Sequence, residues 1–482
     1  MATSDFLPEP KPDQSVNSQS IPRVKLPTMF RLGLYQMGLS MMSILILGVL
    51  NRVMIQELAI PATIVGVMLA IPSFVAPTRI WFGQMSDAKP LFGLHRSGYI
   101  WVGTALFAIA SFLAVQVMWQ LGNAVSNAGG WVGNAQIYGW AGLLALVFAV
   151  YGMAISASST PFAALLVDVS QEDNRSKVVG VAWSMLMVGI IFGAIIASGL
   201  LKQLAANAPL DILQGSINQL FIIIPAIVCV LAIAGTFGIE KKYSLYSTRS
   251  TVVNREDSIT LGKAWQVLTA NRQTGIFFTF LLVMTLSLFM QDPVMEPYAG
   301  QVFKMPLSES TRLNAFSGTG TLIGLSLTGF AIAPRLGKRK TIKLGCVLVA
   351  ICVGLIGISG FSANPAMLKG GLFLFGLSSG VLTTGAISLM LDLTAAETAG
   401  TFIGAWSLAQ AMARGFSVIA GTAVLSVGKN LMPNLALAYG LVFALEAAGM
   451  IVAIWFLNRV NVQEFKTNAK QAIASILESE LD

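Results

Sequence analysis

The sequence is 482 residues long, with 55% hydrophobic and only 11% charged residues. This charged fraction is about half that of a soluble domain, which excludes an ordinary soluble globular protein. The formal net charge of +8 is spread over short loops, a distribution typical of membrane topology and contact with anionic lipids rather than of nucleic-acid binding.

Apolar segments long enough to cross a membrane recur twelve times along the chain. A transmembrane helix needs about 20 mostly apolar residues, because the bilayer offers backbone amides no hydrogen-bond partner. Six segments lie at residues 33–50, 62–82, 99–118, 137–167, 178–201 and 220–239. Six more lie at residues 275–291, 313–333, 344–361, 370–391, 399–427 and 435–457. The sequence therefore predicts an all-α membrane protein with twelve transmembrane helices.

The basic residues predict the orientation of these helices. An even number of helices places both termini on one side of the membrane. With both termini in the cytoplasm, 22 of the 30 Lys and Arg residues lie on inner segments and six on outer loops, while Arg79 and Arg414 lie within helices. The positive-inside rule therefore predicts cytoplasmic termini.

The two sets of six segments predict two six-helix bundles, at residues 31–240 and 275–457. Residues 1–30 are polar and rich in Pro and Ser, without the apolar core of a signal peptide, so we expect a disordered cytoplasmic tail. A second cytoplasmic tail is predicted at 458–482. The cytoplasmic linker at 241–274 shows the pattern of a short interfacial helix, a candidate partner surface, although a plain connecting loop explains the same pattern.

The two halves also resemble each other in sequence. The string LLVDVSQEDNRSKVVGVAWS (165–184) matches LMLDLTAAETAGTFIGAWS (389–407), which places Asp168 opposite Asp392. Two six-helix pseudo-repeats joined by a long inner loop resemble the major facilitator superfamily.

A short basic loop follows the second helix and is predicted to form a cytoplasmic gate. Gly83 allows two helices to approach, and Asp87 is placed to meet the positive N-terminal end of a helix from the other half. Arg79, which can also snorkel to the cytoplasmic surface, and Arg96 complete this gate loop. The equivalent of Asp87 in the second half is Ala333, so such a latch would be one-sided. A plain topogenic loop is the alternative.

Charged residues inside membrane helices are costly and indicate function. Arg414 and Glu446 lie well inside the eleventh and twelfth helices, and a structural ion pair between them is one interpretation. In the alternative, Gln410 and Arg414 share one helix face, line the central cavity and hold the polar edge of a client. The 27 Phe, 9 Trp and 21 Met residues could wall this cavity, which favours a large, neutral, hydrophobic client.

No residues predict enzymatic chemistry. The sequence contains no catalytic triad, no phosphate-binding Gly-rich loop and no paired-cysteine site. Cys229, Cys346 and Cys352 all lie in apolar spans, where cysteine acts as a small hydrophobe. His95, the only histidine, is either a solvated loop residue or a metal ligand.

Four strings together resemble the PucC/LhaA family over residues 30–457: LNRVMIQELAIPATIVGVMLAIPSFVAPTRIWFGQMSD (50–87), GYIWVGT (98–104), MQDPVMEPYAGQVFKM (290–305) and GAWSLAQAMARG (404–415). This resemblance implies a protein of a photosynthetic membrane, whether inner, intracytoplasmic or thylakoid, that assembles light-harvesting antenna complexes. It implies (bacterio)chlorophyll, with carotenoid as a second candidate pigment. The implied partners are antenna polypeptides or a reaction-centre/antenna complex.

The residues that match these family strings are Asn51, Arg52, Glu57, Pro61, Arg79, Asp87, Tyr99, Gln291, Asp292, Glu296, Tyr298, Gly300, Trp406 and Gln410. The candidates for pigment or partner binding are Asn51, Arg52, Glu57, Asp292, Glu296, Tyr298, Trp406, Gln410, Arg414 and Glu446. The loop DAKPLFGLHRSG departs from the family pattern, in which two consecutive Arg followed by Pro are expected, and Ala299 stands where Gly is expected.

The string MQDPVMEPYAG predicts that the seventh helix ends at the outer side, because Pro293 and Pro297 interrupt helical hydrogen bonding. We expect this end to hold Asp292 and Glu296 at the cavity mouth and Tyr298 in the membrane interface. The two acids could then ligate a pigment's magnesium or dock an antenna polypeptide. An ordinary Pro-rich helix end is the alternative.

Two functional hypotheses follow. The first is a non-enzymatic assembly factor that holds a pigment, an antenna subunit or both, with Asp292, Glu296 and His95 as candidate ligands for pigment magnesium. The second is a secondary transporter of a small amphipathic solute, because the repeat architecture is shared by both activities.

Overall fold

The computed structural model describes residues 24–170, 175–202, 209–244, 272–393 and 399–461. Most of the predicted N-terminal tail, the candidate interfacial helix of the linker and most of the predicted C-terminal tail lie outside these residues. Within the described parts of the chain the secondary structure is helical, apart from one isolated bridge between Leu91 and Leu94.

Twelve helices are long and apolar enough to cross a membrane, which confirms the predicted all-α fold with twelve transmembrane segments. In chain order they are α1 Leu26–Glu57, α2 Ala62–Ala88, α3 Ser97–Asn127, α4 Ala135–Asp168, α5 Lys177–Leu200, α6 Leu210–Tyr243, α7 Gly275–Gln301, α8 Leu307–Leu336, α9 Lys338–Ser362, α10 Pro365–Met390, α11 Leu408–Leu431 and α12 Leu435–Arg459. Following the predicted orientation, we call the end of the molecule that contains Glu57 and Gln301 the outer end. The end that contains Asp168 and Tyr243 is the inner end.

The seventh helix differs from its prediction, because α7 does not end at residue 291. It breaks at Met290 and Gln291, then resumes over Asp292–Gln301 with both prolines inside it. Pro293 lies in the first turn of the resumed segment, where a missing amide N–H removes no helical hydrogen bond. Pro297 leaves the Pro293 carbonyl without its helical donor, and the Asn51 side-chain amide donates to that carbonyl at 2.5 Å.

The first helix is wider than a regular α-helix in its outer half. Its segments Ile44–Leu50 and Val53–Glu57 are π-helical. π-helical turns often occur at functional sites, because they rotate the side chains that follow. Asn51 and Arg52 lie between these two segments and face the other half of the molecule.

The two halves pack against each other mainly along two seams, α2 with α11 and α5 with α8. In the first seam Thr63 donates a hydrogen bond of 2.8 Å to Ser426, and the rings of Phe74 and Phe416 meet edge to face 5.1 Å apart. Between these pairs Gly66 allows close approach, because a Cβ there would overlap the Thr422 side chain. The buried hydrophobic residues of both halves form a shared core.

Candidate functional site

A set of polar contacts joins the two halves at the outer end. We call Asn51, Arg52, Glu296, Ser310 and Asn314 the outer clasp. The Arg52 guanidinium, from α1, donates hydrogen bonds to the Met305 carbonyl at 2.7 Å and the Pro306 carbonyl at 3.3 Å, and also to the Ser310 hydroxyl. Arg52 is buried, so these contacts are shielded from water. The clasp closes the outer end of the molecule.

Two glycines bring α1 and α7 close enough for these contacts. A Cβ at Gly300 would overlap the Gln56 side chain and lie 2.9 Å from the Arg52 guanidinium carbon. A Cβ at Gly48 would lie 2.7 Å from Glu296 Oε1, the atom that accepts a 2.7 Å hydrogen bond from the Asn314 amide. Gly300, part of the family string, is therefore required by the close approach of the halves.

Some buried polar atoms at the outer clasp have no hydrogen-bond partner among the described residues. They include Asn51 Oδ1 and Arg52 Nε of the clasp and Gln56 Oε1 beside it. Each buried, unsatisfied polar group costs about 1 to 3 kcal/mol relative to its hydrated state. Water that enters if the halves separate would satisfy these atoms, so we expect this cost to favour opening of the clasp.

Tyr298 corrects one expectation for this end of the molecule. It is 0% exposed and does not lie in the membrane interface. Its hydroxyl donates to the Ile356 carbonyl at 2.9 Å, and its ring packs against Tyr439 and Phe443 of α12. An aromatic ring on the helix segment after the break thus anchors α7 to its own half instead of meeting the lipid headgroups.

Glu296 corrects a second expectation, because it is only 3% exposed and does not lie at a cavity mouth. The break in α7 turns Glu296 toward α1 and α8, where Asn314 binds it. Asp292, at the break itself, is half-buried. Glu57, at the end of α1, is exposed and interacts electrostatically with Arg52.

A second group of charges lies deeper, where the α2–α11 seam ends. We call Arg79, Asp292 and Arg414 the central charge cluster. Both arginines are exposed and lie within membrane-spanning helices, and their charges act on each other across the two halves. The charge of Arg414 acts on both Asp292 and Arg79. The Arg414 guanidinium also stacks on the Phe289 ring, 3.9 Å from its centroid.

The predicted ion pair between Arg414 and Glu446 is wrong. Glu446 is 0% exposed, and neither of its carboxylate oxygens has a hydrogen-bond partner among the described residues. The charged group that acts on Glu446 is Asp292. The break in α7 brings Asp292 to a position where its charge acts on both Arg414 and Glu446.

Gln410 lies on α11 one turn from Arg414 and is half-buried. In the antiparallel seam, residues 66 and 74 meet residues 422 and 416, and Gln410 lies beyond these contacts, toward the inner end of α11. Trp406 lies on the helical residues that precede α11, whose side chains are outside the described part of the structure, as is that of Asp392.

A third polar network lies at the inner end, and its contacts among the described residues join helices of the first half. The buried Arg96 side chain donates to Asp168 at 2.8 Å and Ser86 at 2.6 Å, and forms an ion pair with Asp87 at 2.5 Å. Burial lowers the pKa of the Arg96 guanidinium, but the charges of Asp168 and Asp87 outweigh this effect and raise it. Arg96 is therefore a permanent cation that joins α2, α3 and α4.

Glu240, from α6, completes the inner network by capping α3. Its carboxylate accepts hydrogen bonds from the backbone amides of His95 at 2.7 Å, Arg96 at 3.0 Å and Ser97 at 2.6 Å. A carboxylate at a helix N-terminus satisfies free amides and complements the helix dipole. No sequence pattern predicted Glu240 as a site residue. The only local signal for it is an acid beside two lysines after Gly238, which has a left-handed φ of 72°.

Of the four gate-loop residues, Asp87 and Arg96 meet within one half, whereas Arg79 belongs to the central charge cluster. A Cβ at Gly83 would make an ordinary 3.5 Å contact with Thr160 of the same half. The contact of Asp87 with a helix of the other half stays a prediction, because the side chains at the inner start of the eleventh helix lie outside the described residues.

Candidate ligands for a pigment's magnesium are unequally placed. Glu296 is enclosed in the outer clasp, and one ring nitrogen of His95 lies 3.2 Å from the Ser86 carbonyl. Asp292 and His95 both keep some exposed surface, and of these two Asp292 belongs to the central charge cluster between the halves. Among the described residues, no group of three or more His, Cys, Asp or Glu could hold a metal ion.

Comparisons with known proteins agree with this architecture. Residues 49–465 match the family model described as PUCC protein. Protein PucC of Rhodobacter capsulatus is 30% identical over 462 residues, which cover 93% of this chain and 95% of that protein. A relative from the same species, named bacteriochlorophyll synthase 44.5 kDa chain, is 28% identical and covers 88% and 93% of the two chains. The crystal structure of the nucleoside transporter NupG is similar in fold, with a TM-score of 0.64 at 13% identity over 90% of this chain and 99% of that one.

Proposed function

The chain belongs to the PUCC protein family, and from that premise we propose that it is an assembly factor for photosynthetic light-harvesting complexes. In this role it holds (bacterio)chlorophyll, docks antenna polypeptides in the membrane, or does both. The observation that carries the proposal is the extent of the family match, which spans both halves from residue 49 to residue 465. The name of one relative, bacteriochlorophyll synthase 44.5 kDa chain, supports a pigment as the client.

The arrangement of the two halves suits a protein that holds a bulky guest in place. The outer clasp joins the halves at the outer end, and large apolar side chains are exposed near both ends, including Phe330 at 90% and Trp81 at 57% toward the inner end and Leu431 at 74% toward the outer end. Such side chains can cover an apolar guest that enters from the cytoplasmic side or from the bilayer. We propose that this holding is not enzymatic, and that the protein acts in a photosynthetic membrane with both termini cytoplasmic.

Purification from the native membrane tests the proposal. The tagged chain would be isolated in mild detergent, and its absorption spectrum and its co-purifying subunits would be recorded. An unrelated twelve-helix transporter, tagged and purified in parallel, controls for free pigment. We expect pigment or antenna polypeptide to be enriched over this control. Preparations with neither, at the level of the control, would contradict the proposal.

Pigment and polypeptide can be separated as clients by repeating the isolation from a strain that makes no (bacterio)chlorophyll. If antenna polypeptide still co-purifies, the protein docks the subunit directly. If it is lost together with the pigment, the pigment is the primary client.

The central charge cluster favours a second candidate, a secondary transporter of a small amphipathic solute. Buried or interior charges mark substrate pathways in membrane proteins, and this cluster lies between the two halves. Solute uptake into proteoliposomes that is lost in Arg414→Ala or Asp87→Asn, and kept in Arg312→Ala at the outer surface, would support transport. Uptake equal to that of empty vesicles would exclude it for the solutes tested.

A further inference from the structure

Two arginines from different halves of the molecule face the same interior space. Arg79 follows the bend of α2 at Val75–Pro77, and Arg414 lies on α11. The α2–α11 seam is tight from Thr63 and Ser426 down to Phe74 and Phe416. Arg79 and Arg414 come at the end of this seam, and both are exposed. The helices therefore separate at this point and leave two guanidinium groups on the walls of the resulting space.

Among the described residues, little negative charge acts on the two arginines. Neither forms an ion pair within 4.0 Å there, and the ion pairs found in the described parts of the chain are those of Arg96. Asp292 is the one described acid that acts on Arg414, and the charge of Arg414 opposes that of Arg79. Glu446, fully buried beside Asp292, has no surface on the interior space. Like charges placed together in a membrane protein are stabilised when an anion lies between them.

The geometry around Arg414 favours a planar or tetrahedral oxyanion. Its guanidinium carbon lies 3.9 Å from the centroid of the Phe289 ring, a cation–π contact that restricts its position. A guanidinium binds carboxylate or phosphate with two parallel hydrogen bonds. Gln410, one turn from Arg414 on α11, adds an amide donor.

From these observations we infer that Arg79 and Arg414 form a binding site for the anionic end of an amphipathic guest, a carboxylate or a phosphate. That the guest has an apolar body rests on the proposed function. That its polar end is anionic rests on the two arginines. The inferred guest carries a negative charge at one end, whereas the sequence predicted a neutral client. Phe289, Phe74 and Phe416 around the arginines would contact the first part of the apolar chain.

Binding of matched amphiphiles to the purified full-length chain tests this inference. One arm compares radiolabelled palmitate with hexadecanol, and a second compares farnesyl diphosphate with farnesol, so that carboxylate and phosphate are examined separately. Inorganic pyrophosphate serves as a competitor without an apolar tail. We expect one of the two acids to bind at least about tenfold more tightly than its alcohol, because charge-assisted bidentate hydrogen bonds are the strong ones.

Variants then assign the effect to the site. Arg79→Gln and Arg414→Gln should each weaken binding of the acid by roughly tenfold while leaving binding of the alcohol unchanged. Asp292→Asn should strengthen binding of the acid, because it removes the carboxylate that competes for Arg414. Improved binding cannot result from misfolding. Arg312→Ala, an exposed arginine at the outer end, is the matched control and should behave as the wild type.

Equal binding of acid and alcohol in both arms, or unchanged binding in the two arginine variants, would overturn the inference. Co-purification of pigment and antenna polypeptide would be recorded for the same variants. If the arginine variants bind acids normally while assembly continues, the anion site is wrong and the assembly role stands. If wild-type protein binds the acid but never pigment or antenna polypeptide, the assembly role is wrong and the site stands.

Discussion

The outer and inner ends of this molecule use arginine in opposite ways. At the outer end, Arg52 reaches from one half to the other and binds neutral carbonyl and hydroxyl groups. At the inner end, Arg96 binds two carboxylates of its own half. Some buried polar atoms at the outer contacts have no hydrogen-bond partner among the described residues, while Glu240 satisfies three backbone amides at the inner end.

This contrast separates two physical roles. Charged pairs within one bundle hold its helices at constant angles, because a buried ion that loses its partner is strongly destabilising. Hydrogen bonds between the bundles, with neutral acceptors and unsatisfied neighbours, close the molecule weakly enough to be reversed. The first half is therefore expected to move as a rigid unit, with the outer clasp as the contact that opens.

The largest expected effect is on folding stability, from Arg96→Ala. It should lower the free energy of unfolding by roughly 3 kcal/mol or more, since it leaves the buried Asp168 carboxylate without its guanidinium. Chemical denaturation in detergent would measure this loss. Arg96→Lys keeps the positive charge but not the planar guanidinium. Its free energy of unfolding should therefore lie between those of the wild type and the alanine variant. Equal free energies of unfolding for all three proteins would contradict the stabilising role given to the charged pairs at the inner end.

Arg52→Ala should change the conformational equilibrium more than the stability. Its contacts join the halves, so their loss should favour separation of the outer ends by about 1 to 3 kcal/mol. Spin labels at Asn127→Cys and Glu309→Cys, both exposed at the outer end, would report the distance across it once the three native cysteines are replaced. We expect longer distances in Arg52→Ala and no change in Arg312→Ala. An unaltered distribution in Arg52→Ala would show that the clasp does not control the outer end.

Gly300→Ala should produce a smaller opening of the same kind. The new methyl group would displace the Gln56 side chain and press on the Arg52 guanidinium, an overpacking that costs about 1 kcal/mol or more. The same pair of spin labels measures it. Gly215→Ala, on α6 with no neighbouring atom within 4 Å of the new Cβ, is the control and should leave the distances as they are. Longer distances in both variants would indicate a non-specific effect of the methyl group.

The smallest effect is expected for Asp87→Asn. The Asp87 side chain is 57% exposed, against 11% for Asp168, and exposed ion pairs contribute about 0 to 1 kcal/mol. Asp168→Asn should therefore destabilise the protein several times more than Asp87→Asn in the same denaturation assay. High salt should reduce the Asp87 contribution further, because it screens exposed charges. Equal losses from the two variants would mean that Asp87 has a second role, such as the predicted contact with the other half.

Much of the fold was predictable because a membrane-spanning segment must satisfy its backbone hydrogen bonds locally. The twelve helices and the family followed from apolar runs and from strings such as MQDPVMEPYAG. Arg52 and Asp292 were predicted as site residues from the same strings, and Arg414 from its place inside a helix. Their roles were harder to predict, because the sequence shows that a charged residue lies within a membrane helix but not which neighbouring helix it faces. Glu240, Ser310 and Asn314 carried too weak a local signal to be chosen.

The sequence by itself determined the number of transmembrane helices, their likeness to one family and the places where charge enters the membrane, since each depends on a short stretch of chain. Only the tertiary structure decided that Asp292 rather than Glu446 accompanies Arg414, that Tyr298 is buried in its own half and that Arg96 joins Asp87 to Asp168. These pairings depend on the rotation of helices that are distant in sequence. In α7 that rotation is changed by the break at Met290 and Gln291, whose effect on its neighbours appears only when the helices are packed.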